Sequence, residues 1–240
     1  MLPRCSVLII LMLALSQKLD AQLYLTTFND LGKTNVSGGL YVKTAVSAQY
    51  RLGKTSLGYG SLFNLKNHTS NFFSGAKLNL SRAAEIKGRI YEATAFFMYN
   101  PFSGLILETN WGLALNTSAK HFSYILGTNF RTTHLTVRET EDYETFRNKR
   151  LREKWNLMYH VGYNLRPEES IWNTGISLTN VDCFLINQDT NPMLSFNARY
   201  RLPVPLILYI ETWYKPAGVF NISADSFGFF FRTGLRWELL

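Results

Sequence analysis

The sequence predicts an all-β protein, a transmembrane up-and-down antiparallel β-barrel of about twelve strands. Three observations lead there. Apolar residues recur at every second position, over segments longer than the roughly five or six residues of an ordinary soluble strand. Short turns and longer loops alternate between the segments, and the number of segments is even. The composition agrees: 46% of the 240 residues are hydrophobic, 15% aromatic and only 18% charged, with a mean hydropathy of −0.07. So many Phe, Tyr and Trp exclude a disordered basic tail despite the net charge of +8, and near-zero hydropathy excludes a helical membrane protein.

Residues 1–21 are expected to be a secretory signal peptide, with Arg4, an apolar run from Val7 to Leu15 too short to span a bilayer, and the small Ala21 before the cut. Residues 22–240 then form the barrel domain. Cys183 is the one cysteine after residue 21, so no intramolecular disulfide is expected in an exported chain.

The strands follow in order. A short first strand is expected over residues 23–28. The second is the clearest, with Leu40, Val42, Thr44, Val46, Ala48, Tyr50 and Leu52 on one face and Tyr41, Lys43, Ala45, Ser47, Gln49 and Arg51 on the other. The next uncharged rows run from Leu57 to Leu65, Phe72 to Leu80, Tyr91 to Tyr99, Leu105 to Leu115 and Phe122 to Phe130, taking alternate residues. They continue from Trp155 to Leu165, Trp172 to Leu178, Leu194 to Leu202, Leu206 to Tyr214 and Phe227 to Leu239. Such segments can cross a bilayer, which takes about 9–11 tilted residues. A soluble β-sandwich would carry more charge on its outward rows and have exposed edges to protect.

Connections at 53–55, 81–87, 116–120, 167–170 and 203–205 are expected at one end. Those at 31–35, 66–71, 100–103, 138–153, 187–191 and 215–224 are expected at the other. In a bacterial outer-membrane barrel this arrangement puts both termini in the periplasm. Trp155, Tyr50, Tyr99, Trp172, Tyr214 and Trp237 lie near row ends, as interfacial aromatic girdles require.

The last segment, FGFFFRTGLRWELL, resembles the C-terminal assembly signal of Gram-negative outer-membrane proteins, although it ends in Leu239-Leu240 rather than an aromatic residue. The resemblance implies the barrel-assembly machinery as a partner. The expected cut before Gln22 and the Asn-rich, Tyr-rich strands resemble small barrels of the Bacteroidota.

If the apolar rows face lipid, the alternate rows line the lumen. They carry the cations Lys43, Arg51, Lys77, Arg131, Arg166, Arg199, Arg201, Arg232 and Arg236, against the anions Glu92, Glu108, Glu211 and Glu238, with His160 and several Asn and Gln. An electropositive lumen favours anions. The same groups can instead pair and fill the barrel. Tyr41, Phe73, Phe96, Met98, Ile106, Ile125, Met158, Tyr209, Trp213 and Phe230 also point inward and narrow the passage, so a wide porin is not expected. A non-enzymatic barrel follows, either a narrow channel or the membrane part of a surface assembly, with no cofactor or metal.

The sequence also resembles two classes of enzymatic barrel. Phospholipase-type barrels set His and Ser two apart, as in His121-Phe122-Ser123 and His68-Thr69-Ser70, so that an imidazole can take the hydroxyl proton. Lipid A deacylase barrels, which use calcium, are resembled by Asn29-Asp30 with His134 and Glu139. A third alternative is an accessory barrel of a gliding or type IX secretion machinery, with a periplasmic or surface protein as partner. The 138–153 loop is acidic and then basic; its basic half can meet lipopolysaccharide phosphates. The basic charge is not a nucleic-acid footprint, since no aromatic platform accompanies it.

Overall fold

A computed structural model describes residues 21–33, 40–65, 72–101, 106–135, 149–167, 170–183, 192–215 and 228–239. The expected signal peptide, apart from Ala21, lies outside these residues. Twelve strands form the ring: β1 (Ala21–Lys33), β2 (Leu40–Leu52), β3 (Thr55–Asn64), β4 (Phe73–Ile86), β5 (Arg89–Pro101) and β6 (Ile106–Ala119). Then come β7 (Phe122–Leu135), β8 (Lys149–Asn164), β9 (Trp172–Thr179), β10 (Met193–Arg201), β11 (Leu206–Lys215) and β12 (Gly228–Leu239). Each strand pairs antiparallel with its chain neighbours, and β1 pairs with β12 from Leu23↔Leu239 to Gly32↔Phe230, closing the barrel. Closure leaves no free edge, which is how a sheet satisfies its backbone in hydrocarbon.

Alternation sets the two faces. Leu57, Leu113, Leu126, Trp155, Ile210 and Phe229 project outward and are among the most exposed large hydrophobic residues, while Phe28, Tyr41, Phe96, Met98, Met158, Trp213 and Phe230 project inward and are buried. An exposed apolar exterior over a mixed interior inverts the soluble pattern and suits a lipid-facing wall. Outward aromatic pairs mark the two rims: Phe122–Tyr163 and Trp172–Tyr200 at one end, Phe63–Phe72 and Tyr214–Phe229 at the other, with centroids 4.9–5.2 Å apart.

Both chain ends of the barrel, Leu23 and Leu239, lie at the rim that carries the short turns. There Ile86 pairs with Arg89 across a two-residue turn in which Lys87 and Gly88 both have positive φ, 51° and 73°. This is the backbone of a type I′ hairpin, whose twist matches that of the flanking strands. Several strands outrun the expectation. β4 continues through residues 81–86 and β6 through 116–119, because small and polar residues there still fit the ladder; only Lys87-Gly88 and Lys120-His121 turn. The first strand is not short: it reaches Lys33, and Asn29 and Asp30 are part of it. The 138–153 stretch is a strand from Lys149 onward; the rest of it lies outside the described residues, as does 187–191.

One wall departs from regular pairing. β7 follows β8 along its length, but β9 pairs with β8 only from His160↔Thr179 to Asn164↔Gly175. Beyond that, Asn180 serves β8 in place of a strand. Its Nδ2 donates to Leu157 O at 2.7 Å, its Oδ1 accepts from Tyr159 N at 2.8 Å, and its own N–H donates to Tyr159 O at 3.1 Å. Thr179 Oγ1 accepts from Val181 N at 3.0 Å. With Leu157 and Tyr159 of β8 partnered in this way, the chain leaves the wall and residues 181–183 enter the lumen.

Candidate functional site

The lumen is the concave region of the molecule, and two ionic clusters stand on facing walls in the half nearer the long connections. On β6 and β7, Arg131 Nε lies 3.4 Å from Glu108 Oε1 and 3.1 Å from Asn110 Oδ1. Asn110 Nδ2 donates to Glu108 at 2.9 Å, and Asn129 Nδ2 donates to Asn110 at 2.8 Å. All four side chains are buried.

Opposite, Arg232 on β12 is held between two carboxylates. Nε and Nη2 donate to Asp30 at 2.7 and 2.8 Å, and Nη1 and Nη2 donate to Asp182 at 2.6 and 2.8 Å. Glu211 Oε2 is 3.6 Å from Nη1 and accepts from Trp213 Nε1 at 2.8 Å. The guanidinium carbon stands 4.0 Å from the Phe28 ring centroid. Such fork-on-carboxylate geometry offsets the cost of desolvating a side chain only 3% exposed. Alternation explains the convergence: Asp30, Glu211 and Arg232 are cross-strand partners on one face of β1, β11 and β12. Asp182 comes from the inward-turned segment.

That segment crosses the passage. Val181 packs on the Phe96, Met98 and Met158 cluster of β5 and β8, while Asp182 reaches β12. Tyr41, Met193, Trp213 and Phe230 add an apolar cluster. The other half of the lumen is lined by small polar groups, with Ser81 Oγ 2.9 Å from Thr94 Oγ1 and Gln49 Nε2 donating to Ser56 Oγ at 3.2 Å. Arg236 stacks over Tyr24 at 4.3 Å, and Arg199 donates to Asn164 at 3.5 Å.

The residues expected to line the lumen, Lys43, Arg51, Lys77, Glu92, Glu108, Arg131, His160, Arg199, Glu211, Arg232 and Arg236, share strand parity with these inward groups. Three more lumen residues were not among those expected there. Asp30 was a candidate only of the calcium-dependent alternative, Lys215 was expected to start a loop, and Asp182 lies outside any strand; Lys215 is fully buried at the end of β11.

The residues of the calcium-dependent alternative are not brought together. Asn29 is exposed on the outer face, where it accepts from Thr44 Oγ1 at 2.6 Å, while Asp30 is engaged by Arg232. His134 is on β7, half the ring away from β1, and Glu139 lies outside the described residues. Nor do His121 and Ser123 pair: His121 Nδ1 is 2.9 Å from Asn164 O. Ser123 instead meets His160 Nε2 across the β7–β8 ladder at 3.0 Å, a contact that a Cβ on Gly162 would obstruct. His68-Thr69-Ser70 lies outside the described residues.

The sequence matches no protein-family model and no curated protein. Solved structures do match. The KdgM porin, determined in complex with disordered oligogalacturonate, aligns over 90% of this chain and 99% of its own, with TM-score 0.55 and 8% identity. This chain and that porin are alike in fold. The NanC porin agrees, with TM-score 0.51 and 11% identity over 90% of this chain and 100% of its own. At these identities the likeness is one of fold, and the chemistry of this porin-like barrel has to be read from its own lumen.

Proposed function

We propose that the protein is a non-enzymatic channel of the bacterial outer membrane, narrow and anion-favouring, with both termini in the periplasm. The observation that carries this reading is the charged, polar lumen inside a barrel whose exterior is apolar across its middle. Ion pairing removes part of the electropositive excess expected from sequence, since Arg131 and Arg232 are engaged by carboxylates. The remaining excess lies toward the short-turn rim, where Arg51, Arg199, Arg201 and Arg236 face Glu92 and Glu238. Cations there draw small anions, as positive rings do in anion-selective pores. Lipopolysaccharide and outer-membrane lipids are the partners of the outer wall, the barrel-assembly machinery is that of β12, and the Asn-rich, Tyr-rich strands support an origin in the Bacteroidota.

The test is planar-bilayer recording of the purified barrel in a KCl gradient. Small, discrete conductance steps with a reversal potential on the chloride side are expected. A cation-side reversal potential would overturn the anion preference, and a silent bilayer with correctly folded protein would overturn the channel.

A further inference from the structure

We propose that Arg232 is a carboxylate-binding site of the lumen and that Asp182 occupies it as a tethered stand-in for a carboxylate-bearing solute. The inference rests on the channel reading for its consequence, though not for its chemistry. Arg232 presents a planar fork, and both Asp182 oxygens seat on it, at 2.6 and 2.8 Å. A free carboxylate makes the same two bonds.

The two carboxylates on Arg232 differ in how they are held. Asp30 is part of the wall, locked into register with β2 and β12 on either side. Asp182 sits on a non-strand segment fastened to β8 through Thr179 and Asn180, and the N–H of Cys183 donates to its Oδ1 at 2.6 Å. Withdrawal of Asp182 therefore leaves the barrel ladder intact. It also removes one negative charge from a place where Lys77 and Lys215 lie within electrostatic reach. The vacated fork keeps its orientation, because Asp30 grips Nε and Nη2 and Phe28 covers one face of the guanidinium. The stacked Trp213–Phe230 pair, 5.8 Å apart, supplies an apolar wall for the rest of an incoming anion. An anion that displaces Asp182 takes its place and, in the same step, releases the segment that crosses the passage.

The experiment compares the wild-type barrel with Asp182→Ala and Asp182→Asn, probed with acetate and its neutral isostere acetamide. Two readouts are used: bilayer conductance, and the Trp213 emission isolated by difference from Trp213→Phe. Withdrawing an obstruction from a narrow lumen should raise the conductance of Asp182→Ala about threefold or more. Millimolar acetate should then lower that conductance and shift the Trp213 emission, with acetamide inert; in the wild type acetate must first displace Asp182 and should act only at higher concentration, raising the conductance. If Asp182→Ala does not fold, Asp182→Asn, which keeps the side-chain shape and removes the charge that holds it on Arg232, carries the emission readout alone, with acetate but not acetamide expected to shift it. Equal effects of acetate and acetamide, or no emission change in either variant, would overturn the proposal. A barrel that is silent in bilayers but whose Asp182→Ala emission responds to acetate alone would uphold the site and overturn the channel.

Discussion

Arg232 shows what a single side chain contributes to this interior. It is nearly inaccessible and carries two bidentate carboxylate contacts, so removing its charge strands Asp30 and Asp182 in a poorly solvated place. Breaking one side of a buried ion pair costs about 3–5 kcal/mol, so Arg232→Gln should shift the unfolding midpoint in urea by a corresponding amount. Equal midpoints for mutant and wild type would mean that the pair is solvated. Gly127 tests steric fit instead: a Cβ there would lie 2.4 Å from Leu113 O and 2.8 Å from Ala114 Cα, both backbone atoms. Overpacking of this kind costs about 1–3 kcal/mol, and Gly127→Ala should lower the same midpoint. The inward position of Arg232 was legible from alternation. Its partners were not, since Asp30 is 202 residues away in the chain and the polar Asn29-Asp30 reads as a turn.

At the scale of elements, alternation located every strand but not every end. Polar residues are tolerated inside a closed ladder because each backbone group already has a partner, so turn-forming composition at 81–86 and 116–119 was a poor guide to where β4 and β6 stop. The inward turn after β9 was hidden for a related reason: Asn180 imitates a strand with its side-chain amide, and nothing in the local pattern announces it. Asn180→Ala should leave Leu157 O and Tyr159 N without these bonds, at a cost of about 1–3 kcal/mol. Its signature is local: amide exchange at Tyr159 should accelerate well beyond that at residues of the β6–β7 ladder. Uniform acceleration along the barrel would show that the contact is not a local fastening.

The whole molecule is defined by two unlike faces, and the near-zero hydropathy of the chain is their average. Leu113, 63% exposed in the middle of β6, belongs to the outer face. A cation at the bilayer midplane costs about 2–4 kcal/mol, so Leu113→Arg should reduce folding into vesicles by that amount while leaving lumen-facing neighbours unaffected. Unchanged folding would put Leu113 outside the hydrocarbon. The most direct measurement of the two-faced wall is a scan of single spin-labelled cysteines along β7, from Ser123 to Phe130 without Gly127, in vesicles and in a background without native cysteines. Accessibility to a lipid-soluble relaxation agent should peak at 124, 126, 128 and 130 and fall at 123, 125 and 129. Accessibility without this period of two, or low at all of these positions, would contradict a lipid-facing barrel.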